Sequence, residues 1–542
     1  MQEKYINTIN KVKYYLLIAF IVIQPLLDTY YLYTDKVVNM FGFSPSTIIR
    51  VGITALLVIL TLLTLKDKKS WIFIVSYIVI VAIYTIFHLV NAQHFKSLVP
   101  GNFNYSVINE ILYIVRLMIP LCIVFITYNM KISKDDFDRI IKIVLILISG
   151  TIVVTNILKI SLSSYTNEVI KDNIFGWFTG AYEQYNYSAL ASKGIFNFAN
   201  QISALLVLLL LVMLAIYVRK NNIFNLIIIL TTIIAMIMLG TKVALFGCII
   251  DIAIFVFTII FIRLFKREKI LNYKIVSMLG LVTIVIGTLI GKAPALNREQ
   301  VSHYVRVNNS KVEIQSADEE SVNNEEAKPN TEQEESKNTS HEENKTIENQ
   351  EIPNENIVIQ PDRDNKKSMI SYIEKNYKNL MVNEHFITKS YPYQYDPEFW
   401  VDIINLPVVD RLNWRNLEQK MLQRVMDIND NPMDKWLGIT FSRTQNIYNL
   451  ERDFVSQYYS IGILGILVLI GPYIILSIAC MIKMLISFKE KFTLFNTLCG
   501  LGIVFLLGVS YYSGNVLDAL TVTIILAFIL GKLIDTVFIE QS

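Results

Sequence analysis

The chain has 542 residues, 53% of them hydrophobic, and its mean hydropathy is +0.44. A soluble protein of this length would form three or four domains with a lower apolar content, so the composition excludes that class and indicates an integral membrane protein. The net charge is +3, yet residues 313–355 carry fourteen acidic side chains and three lysines. The rest of the chain is basic, which fits lysines that anchor to lipid; the sequence shows no soluble basic module with stacking aromatics, so we expect no nucleic-acid partner.

The cysteines and histidines predict neither a disulfide in a soluble segment nor a metal site. All four cysteines lie within apolar runs, and the five histidines lack the i, i+4 spacing of a zinc site. We therefore expect no cofactor and no protein-bound metal.

Twelve apolar runs are long enough to cross a bilayer, which requires roughly 20 residues for about 30 Å of hydrocarbon. The runs are 14–33, 47–65, 71–91, 108–128, 140–160, 197–217, 222–239, 243–263, 272–291, 456–482, 493–512 and 515–534. They predict an all-α polytopic membrane protein in which 1–291 and 456–542 hold about twelve helices, and 292–455 forms a large loop between helices nine and ten. Lys and Arg collect at the N-terminus and in alternate short loops. By the positive-inside rule, both termini are then cytoplasmic and the large loop lies outside the plasma membrane.

The large loop has two parts of different composition. Residues 313–365 are rich in Glu, Asn, Ser and Lys and nearly lack aromatics, so we expect a disordered acidic insert. Residues 366–455 regain aromatics, and the stretch 410–426 places Leu417, Met421 and Val425 on one helical face. This part is predicted to fold as a small helical lid. Its aromatics at 391–400 would form the lid's own core or offer faces to sugar rings.

Ionisable residues interrupt the apolar runs, and each costs about 2.5–3.5 kcal/mol at a helix centre on insertion scales. They are Asp28, Arg50, Glu110, Arg116, Lys242 and Asp251. Arg50 and Glu110 lie near helix ends, where they can snorkel or serve a site. Arg116 is mid-helix and should face the bundle interior or a water-filled cavity, with Asp251 as a partner or as a residue that joins helices. Lys242 occupies a very short outer turn, where it would either anchor to lipid or contact a diphosphate.

The exit of the large loop carries two carboxylates, Glu451 and Asp453, at the membrane boundary. Arg411 and Arg415 lie upstream, one helical turn apart. Arginine forks suit phosphate oxygens, and a partly desolvated carboxylate can accept a proton from a sugar hydroxyl. The pattern therefore indicates either an anion site with a base beside it or a cap and salt-bridge network at a helix start.

Seven short segments around this late, large loop carry a family resemblance. They are QPLLD at 24–28, IIR at 48–50, NEILYIVR at 109–116, KGIF at 193–196 with AN at 199–200, GTK at 240–242, ERDF at 451–454 and YSIG at 459–462. Together they resemble the O-antigen ligase and polymerase family of bacterial membrane glycosyltransferases, in the form typical of Gram-positive surface-polysaccharide gene clusters. The resemblance spans nearly the whole chain and implies a GT-C-like ligase/polymerase fold.

The resemblance also implies an activity. A glycan would leave undecaprenyl diphosphate and join a hydroxyl of an acceptor glycan at the outer membrane face, with inversion and without a metal. The partners implied are the undecaprenyl diphosphate-linked oligosaccharide, the acceptor glycan and membrane lipids. The protein would then take part in the biosynthesis of cell-envelope polysaccharide.

Individual site residues follow from the resemblance by position. Lys242 and Arg411 would bind the diphosphate, and Lys193 stands where the family often has an arginine, although lysine loses the bidentate fork. Arg415, Arg116 and Arg50 complete the predicted substrate-binding set. Asp453 is predicted as the base, with Glu451 second.

Two histidines familiar in ligases are missing from this chain, one ahead of the penultimate membrane region and one after Gly514. Their absence favours a polymerase-like or teichuronic-type enzyme over a lipopolysaccharide ligase. The alternative is a transporter or flippase of a lipid-linked or anionic substrate, for which paired broken helices would be expected. A sensor is the least favoured interpretation, because the inner loops are short.

Overall fold

The computed structural model describes residues 2–29, 44–93, 95–99, 101, 103–298, 360–380, 382–447, 450–514 and 516–539. The chain divides into two units: Met1–Glu299 with Leu422–Ser542, and Gln300–Met421. The first unit is a bundle of long apolar helices, and the second is a smaller helical unit.

Eleven helices among the described residues are long and apolar enough to cross a membrane, and one shorter apolar helix, α7, accompanies them. The twelve are α1 Lys4–Leu27, α2 Pro45–Thr64, α3 Lys68–Ala92, α4 Val107–Met130, α5 Lys134–Ile157, α6 Ala199–Arg219, α7 Ile223–Met238, α8 Lys242–Phe265, α9 Tyr273–Arg298, α10 Asp453–Ile486, α11 Leu494–Ser513 and α12 Leu520–Ile539. The predicted all-α polytopic fold is therefore confirmed.

Polar side chains fix where many of these helices begin. Ser106 accepts the N–H of Asn109 before α4, Thr241 accepts that of Ala244 before α8, and Asn272 accepts that of Ile275 before α9. Such caps satisfy backbone donors that the first helical turn leaves without partners. The start of each of these capped helices is thus set by one residue, while its length is set by the apolar run.

Helices α6 and α12 form the centre of the bundle and are almost completely enclosed by protein. α6 packs along α8 and α11, and α12 packs along α4. Gly531 of α12 permits the second contact, since a Cβ there would lie 2.7 Å from the Cβ of Thr127. By contrast, α3 and α9 keep most of their apolar surface exposed, as lipid-facing helices do.

Three predicted helix starts differ from the structure by five residues or more. The first helix is already formed at Lys4 rather than at residue 14, and it ends at Leu27. Helix α5 begins at Lys134 rather than at residue 140, because Ser133 caps it by accepting the N–H of Asp136. The last helix begins at Leu520, not near residue 515. The described residues ahead of it are non-helical because side chains of other helices bind their backbone groups.

Helix α10 is broken at Gly462, which has φ +67° and ψ 179°. The connection ahead of α10 crosses this break: the N–H groups of Ile439 and Thr440 donate to the carbonyls of Tyr459 and Ser460, at 2.7 and 3.1 Å. A Cβ on Gly462 would lie 2.4 Å from the backbone of Trp436, so the crossing requires glycine. The carbonyls of Tyr459 and Ser460 that the break would otherwise leave free are therefore bonded by backbone N–H groups of the protein.

Between α5 and α6 lies an irregular segment that contains a two-stranded antiparallel sheet. Strand β1 is Leu162–Ser163 and strand β2 is Ser192–Gly194. The hydroxyl of Ser161 accepts the N–H of Gly194 at 2.8 Å and is bonded by the Ser192 hydroxyl. This hairpin carries Lys193.

The second unit contains the helices Lys366–Asn376, Pro397–Ile404 and Val408–Arg411, and it includes the start of Trp414–Asn429. Tyr391 and Trp400 are buried, and the indole N–H of Trp400 donates to the carbonyl of Tyr391 at 2.7 Å. These two aromatics form core rather than an exposed sugar-binding face. Residues 313–359 of the predicted acidic insert lie outside the described residues.

The predicted helix at 410–426 is confirmed only in part. Leu417, Met421 and Val425 are all buried, as their spacing predicted. The helix begins at Trp414, however, because Asn413 accepts the N–H of Asn416 and starts a new helix. Arg411 and Arg415 consequently lie on two different helices and are not one turn apart on the same helix.

Candidate functional site

Asp453, the first residue of α10, is anchored to the loop ahead of α12. Its Oδ2 accepts the N–H groups of Val516 and Leu517, both at 2.8 Å, and the side chain is buried. Gly514 brings this loop close, because a Cβ there would lie 2.2 Å from the carbonyl carbon of Glu451. One carboxylate oxygen of Asp453 is therefore occupied by two backbone donors.

Asp518, in the same loop, is the centre of a polar network. Its Oδ1 accepts the Tyr113 hydroxyl at 2.9 Å and the Gln457 amide at 2.7 Å, and Nη2 of Arg116 donates to its backbone carbonyl at 2.9 Å. Arg116 thus faces the bundle interior. Asp251 was predicted either to pair with Arg116 or to join helices, and neither hydrogen bond is formed: Asp251 is completely buried in α8, and no described residue bonds its carboxylate.

Arg50, on α2, is held by residues at the end of α1 and by a residue of α12. Its Nη1 and Nη2 donate to both carboxylate oxygens of Asp28, at 2.7 and 2.9 Å, while Nε donates to Gln24 and Nη2 to the Thr521 hydroxyl. The side chain is buried, so it does not snorkel. These contacts join α1, α2 and α12; substrate binding by Arg50 stays a prediction.

We expect Arg50→Ala to lower the stability of the bundle. Removing one member of a buried ion pair leaves the other charge unpaired, and the loss should be about 3 kcal/mol, the low end for such pairs because Asp28 is 31% exposed. Thermal unfolding in detergent measures it, with Arg139→Ala, at an exposed surface pair, as the control. Unchanged stability together with weakened donor binding would contradict the structural role and assign Arg50 to substrate.

Glu110 is completely buried and binds the segment that precedes α10. Its carboxylate accepts the N–H groups of Phe441 and Ser442, at 3.0 and 2.9 Å, and the Ser442 hydroxyl at 2.7 Å. His88 lies beside it, with Nε2 3.3 Å from Oε2 of Glu110 and Nδ1 2.6 Å from the carbonyl of Leu437. Glu110 therefore stabilises the start of the helix Phe441–Ile447 rather than snorkelling.

A second polar group surrounds the Gly240 turn between α7 and α8. The Tyr165 hydroxyl donates to the carbonyl of Gly240 at 2.5 Å, and Nη1 of Arg298 donates to the Tyr165 oxygen at 3.1 Å. The Arg298 guanidinium also lies 4.9 Å from the Tyr165 ring centre and 6.0 Å from that of Tyr187. The Glu451 carboxylate is within electrostatic range of Arg298. We call Tyr165, Arg298, Glu451, Lys193 and Lys242 the cation cluster.

The two lysines of the cation cluster flank the same turn. Lys242 is the exposed first residue of α8, and the hairpin that carries Lys193 packs against Gly240, where a Cβ would lie 2.6 Å from Ala191. Lys193 is buried and donates to the carbonyl of Thr166 at 3.2 Å and to Asn167 at 3.3 Å. Burial lowers the pKa of Lys193 to about 8.

Arg411 and Arg415 lie in the second unit. Arg411 is buried and Nη1 donates to the carbonyl of Ile404 at 2.7 Å, while Arg415 is half-buried. Their assignment to the diphosphate stays a prediction. In the described part of the chain, no group of three His, Cys, Asp or Glu side chains is placed to hold a metal ion.

Sequence reasoning missed Arg298, Tyr165 and Asp518. Arg298 follows an apolar run at the start of the large loop, where a single charged residue after a membrane helix does not by itself indicate a site. Tyr165 lies in an irregular segment without periodicity, and Asp518 was placed inside the predicted last helix. The sequence signal for Asp518 is a single acidic residue near the start of the last apolar run, where a charge is costly in a membrane.

The chain matches the family described as O-antigen ligase like membrane protein over residues 9–540. No curated protein and no solved structure gives a match. The matched range covers α1 from Ile9 onward, the other eleven bundle helices, Asp453, the Asp518 network and the cation cluster. The chain therefore belongs to the O-antigen ligase-like membrane proteins, a family of glycan-transferring membrane enzymes.

Proposed function

We propose that the protein transfers a glycan from undecaprenyl diphosphate to a hydroxyl of an acceptor glycan, with inversion, at the outer face of the plasma membrane. The observation that carries this proposal is the cation cluster, in which a carboxylate, Glu451, lies within electrostatic range of Arg298, and Lys193 and Lys242 flank the Gly240 turn. The orientation rests on the Lys and Arg asymmetry of the short loops.

The cations act on the leaving group. Arg298 can offer a planar fork to diphosphate oxygens, while Lys193 and Lys242 contribute point charges. Lys193 uses two of its three N–H donors on Thr166 and Asn167, so its ammonium is oriented before substrate binds. Such preorganised charge stabilises the diphosphate as the sugar–phosphate bond breaks.

Glu451 is the base in this proposal, and Asp453 is a positioning residue. Glu451 takes the proton of the acceptor hydroxyl, the hydroxyl oxygen forms a bond to the anomeric carbon, and the bond from that carbon to the diphosphate oxygen breaks. A single displacement of this kind inverts the anomeric centre. Asp453 fits the base role less well, since its Oδ2 already accepts two backbone N–H groups.

A transporter would require a conduit or paired broken helices, and the break in α10 does not provide one. Its carbonyls at Tyr459 and Ser460 are bonded by Ile439 and Thr440, and that of Ile461 accepts the Tyr84 hydroxyl at 2.7 Å. A substrate ion would have to displace these bonds. The break therefore supports a rigid element better than a transport site.

The test is glycan length with the full chain in lipid nanodiscs. The protein is supplied with undecaprenyl diphosphate-linked repeat units from the organism that encodes it, with EDTA and without nucleotide sugar. Longer glycans and released undecaprenyl diphosphate are expected. Intact substrate in the presence of well-folded protein and added acceptor glycan would contradict the proposal.

Lys193 predicts a pH dependence of donor binding. Its pKa of about 8 means that Lys193 loses its proton, and the site loses one cation, as pH rises from 7 to 9. Undecaprenyl diphosphate should then bind about tenfold more weakly, the effect of one charge-assisted contact of roughly 1.4 kcal/mol. Lys193→Arg stays charged across this range and should remove the change, as measured by titration of the lipid into detergent-solubilised protein. An equal pH dependence in both proteins would contradict the assignment.

A further inference from the structure

A groove with a volume of about 420 Å³ lies at the C-terminal end of α3, apart from the cation cluster. One wall is apolar and includes Phe87 and Val90, which are 60% and 52% exposed on a helix that keeps most of its surface outside the bundle. Met433 and Leu437 continue this wall. The groove is within the range of about 300–1,000 Å³ that small-molecule sites occupy, and it opens beside a lipid-facing helix.

The polar part of the lining is held by hydrogen bonds among its own side chains. The buried carboxylate of Asp434 accepts the amides of Asn91 and Asn429, at 2.8 and 2.6 Å. The oxygen of Asn91 accepts the amide of Asn431 at 2.8 Å, and that of Asn429 accepts the N–H of Lys96 at 2.6 Å. These amides hold one another and leave the wall little freedom to rearrange when a ligand binds.

The rim of the groove presents two exposed groups of opposite charge. Asp430 has φ +49°, a left-handed conformation that a non-glycine residue adopts at a cost, and it lines the groove together with Lys96. Neither side chain forms an ion pair or side-chain hydrogen bond with another described residue. A carboxylate accepts from ligand hydroxyls and an ammonium donates to ligand oxygens.

This chemistry fits a sugar better than a phosphate. A sugar ring has an apolar C–H face for Phe87 and Met433 and hydroxyls for Asp430 and Lys96. A diphosphate would be repelled by Asp430, and the groove offers one lysine where the cation cluster offers three cations. The class of ligand is therefore a saccharide presented at the membrane surface.

The groove is connected to the candidate site through α10. Leu437 lines the groove, and Gly438 packs against the backbone of Ser460. Ser460 lies seven residues beyond Asp453 on α10, roughly 10 Å along the helix at 1.5 Å per residue. The groove is thus joined to the first turns of α10 through Leu437, Gly438 and Ser460.

We propose that this groove binds a sugar unit of the acceptor glycan. That the sugar belongs to the acceptor rests on the proposed function, because the geometry of the groove by itself identifies only a saccharide site. It assigns Asp430 and Lys96 to hydroxyl recognition and Met433 to contact with the sugar ring.

The test measures binding separately from transfer. The probe is the repeat-unit oligosaccharide, released from its lipid by mild acid, and its binding to the full chain in nanodiscs is followed by saturation-transfer NMR. Met433→Trp fills the groove, and Leu98→Trp is the matched control, since Leu98 is 43% exposed, Met433 is 44% exposed and Leu98 does not line the groove. Asp430→Asn removes the carboxylate without adding bulk.

Binding to the wild type and to Leu98→Trp, with binding weakened about tenfold or more in Met433→Trp and Asp430→Asn, is the expected result. Absent binding to the wild type, or equal binding to Met433→Trp, overturns the proposal.

The glycan-transfer assay distinguishes this proposal from the proposed function. If the oligosaccharide binds in the groove but no glycan transfer occurs, the saccharide site stands and the proposed function fails. If Met433→Trp has normal affinity for undecaprenyl diphosphate, and its KM is raised for the acceptor but not for the donor, both the saccharide site and the proposed function are supported.

Discussion

Replacing Glu451 by glutamine should lower the rate of glycan transfer by about 10²–10⁴-fold, the contribution of a positioned general base. Glutamine keeps the size of the side chain and cannot take the acceptor's proton. Undecaprenyl diphosphate should bind at least as well, because the carboxylate near Arg298 also repels the phosphate oxygens. Single-turnover transfer and lipid titration measure the two effects separately.

Two control variants decide between the carboxylates of Glu451 and Asp453. Asp453→Asn retains an oxygen that can accept the N–H groups of Val516 and Leu517, so transfer should fall far less than in Glu451→Gln. Glu168→Gln, an exposed change in the irregular segment after α5, should have no effect. If Asp453→Asn abolishes transfer while Glu451→Gln retains it, the roles are reversed and Asp453 is the base.

Replacing Glu110 by alanine should destabilise the protein by about 3–5 kcal/mol, as expected when one partner of a buried hydrogen-bonded charge is removed. The change leaves the N–H groups of Phe441 and Ser442 without their acceptor, and it removes the neighbour of His88. Thermal unfolding in detergent checks the stability. Limited proteolysis within 434–447 checks whether this connection loosens first.

Glu110→Gln should be milder, because its carbonyl oxygen can still accept one of the two backbone donors. Glu490→Ala, at an exposed position, serves as the matched control for loss of a glutamate. A wild-type melting temperature for Glu110→Ala would show that the connection does not depend on this carboxylate. Loss of transfer without loss of stability would instead assign Glu110 a direct role with substrate.

Hydropathy alone determined the membrane architecture. An apolar run needs no distant partner to become a helix in lipid, because the helix satisfies its own backbone groups. The position of Lys242 followed from the same local rule, since α7 and α8 leave a turn of only three residues between Met238 and Lys242. The buried face of Leu417, Met421 and Val425 followed from helical periodicity.

Tertiary structure decided which charges act and which only hold the fold. Asp453 and Glu451 look alike in sequence, and only the loop beyond Gly514 shows that Asp453 bonds two backbone amides. Arg116 donates a hydrogen bond to the backbone carbonyl of Asp518, 402 residues away, and not to Asp251. Local pattern carries no information on such pairs, because they depend on how helices distant in sequence pack together. The sequence by itself thus determined the apolar helices and the family, whereas packing determined the cation cluster, the anchoring role of Asp453 and the groove beside α3.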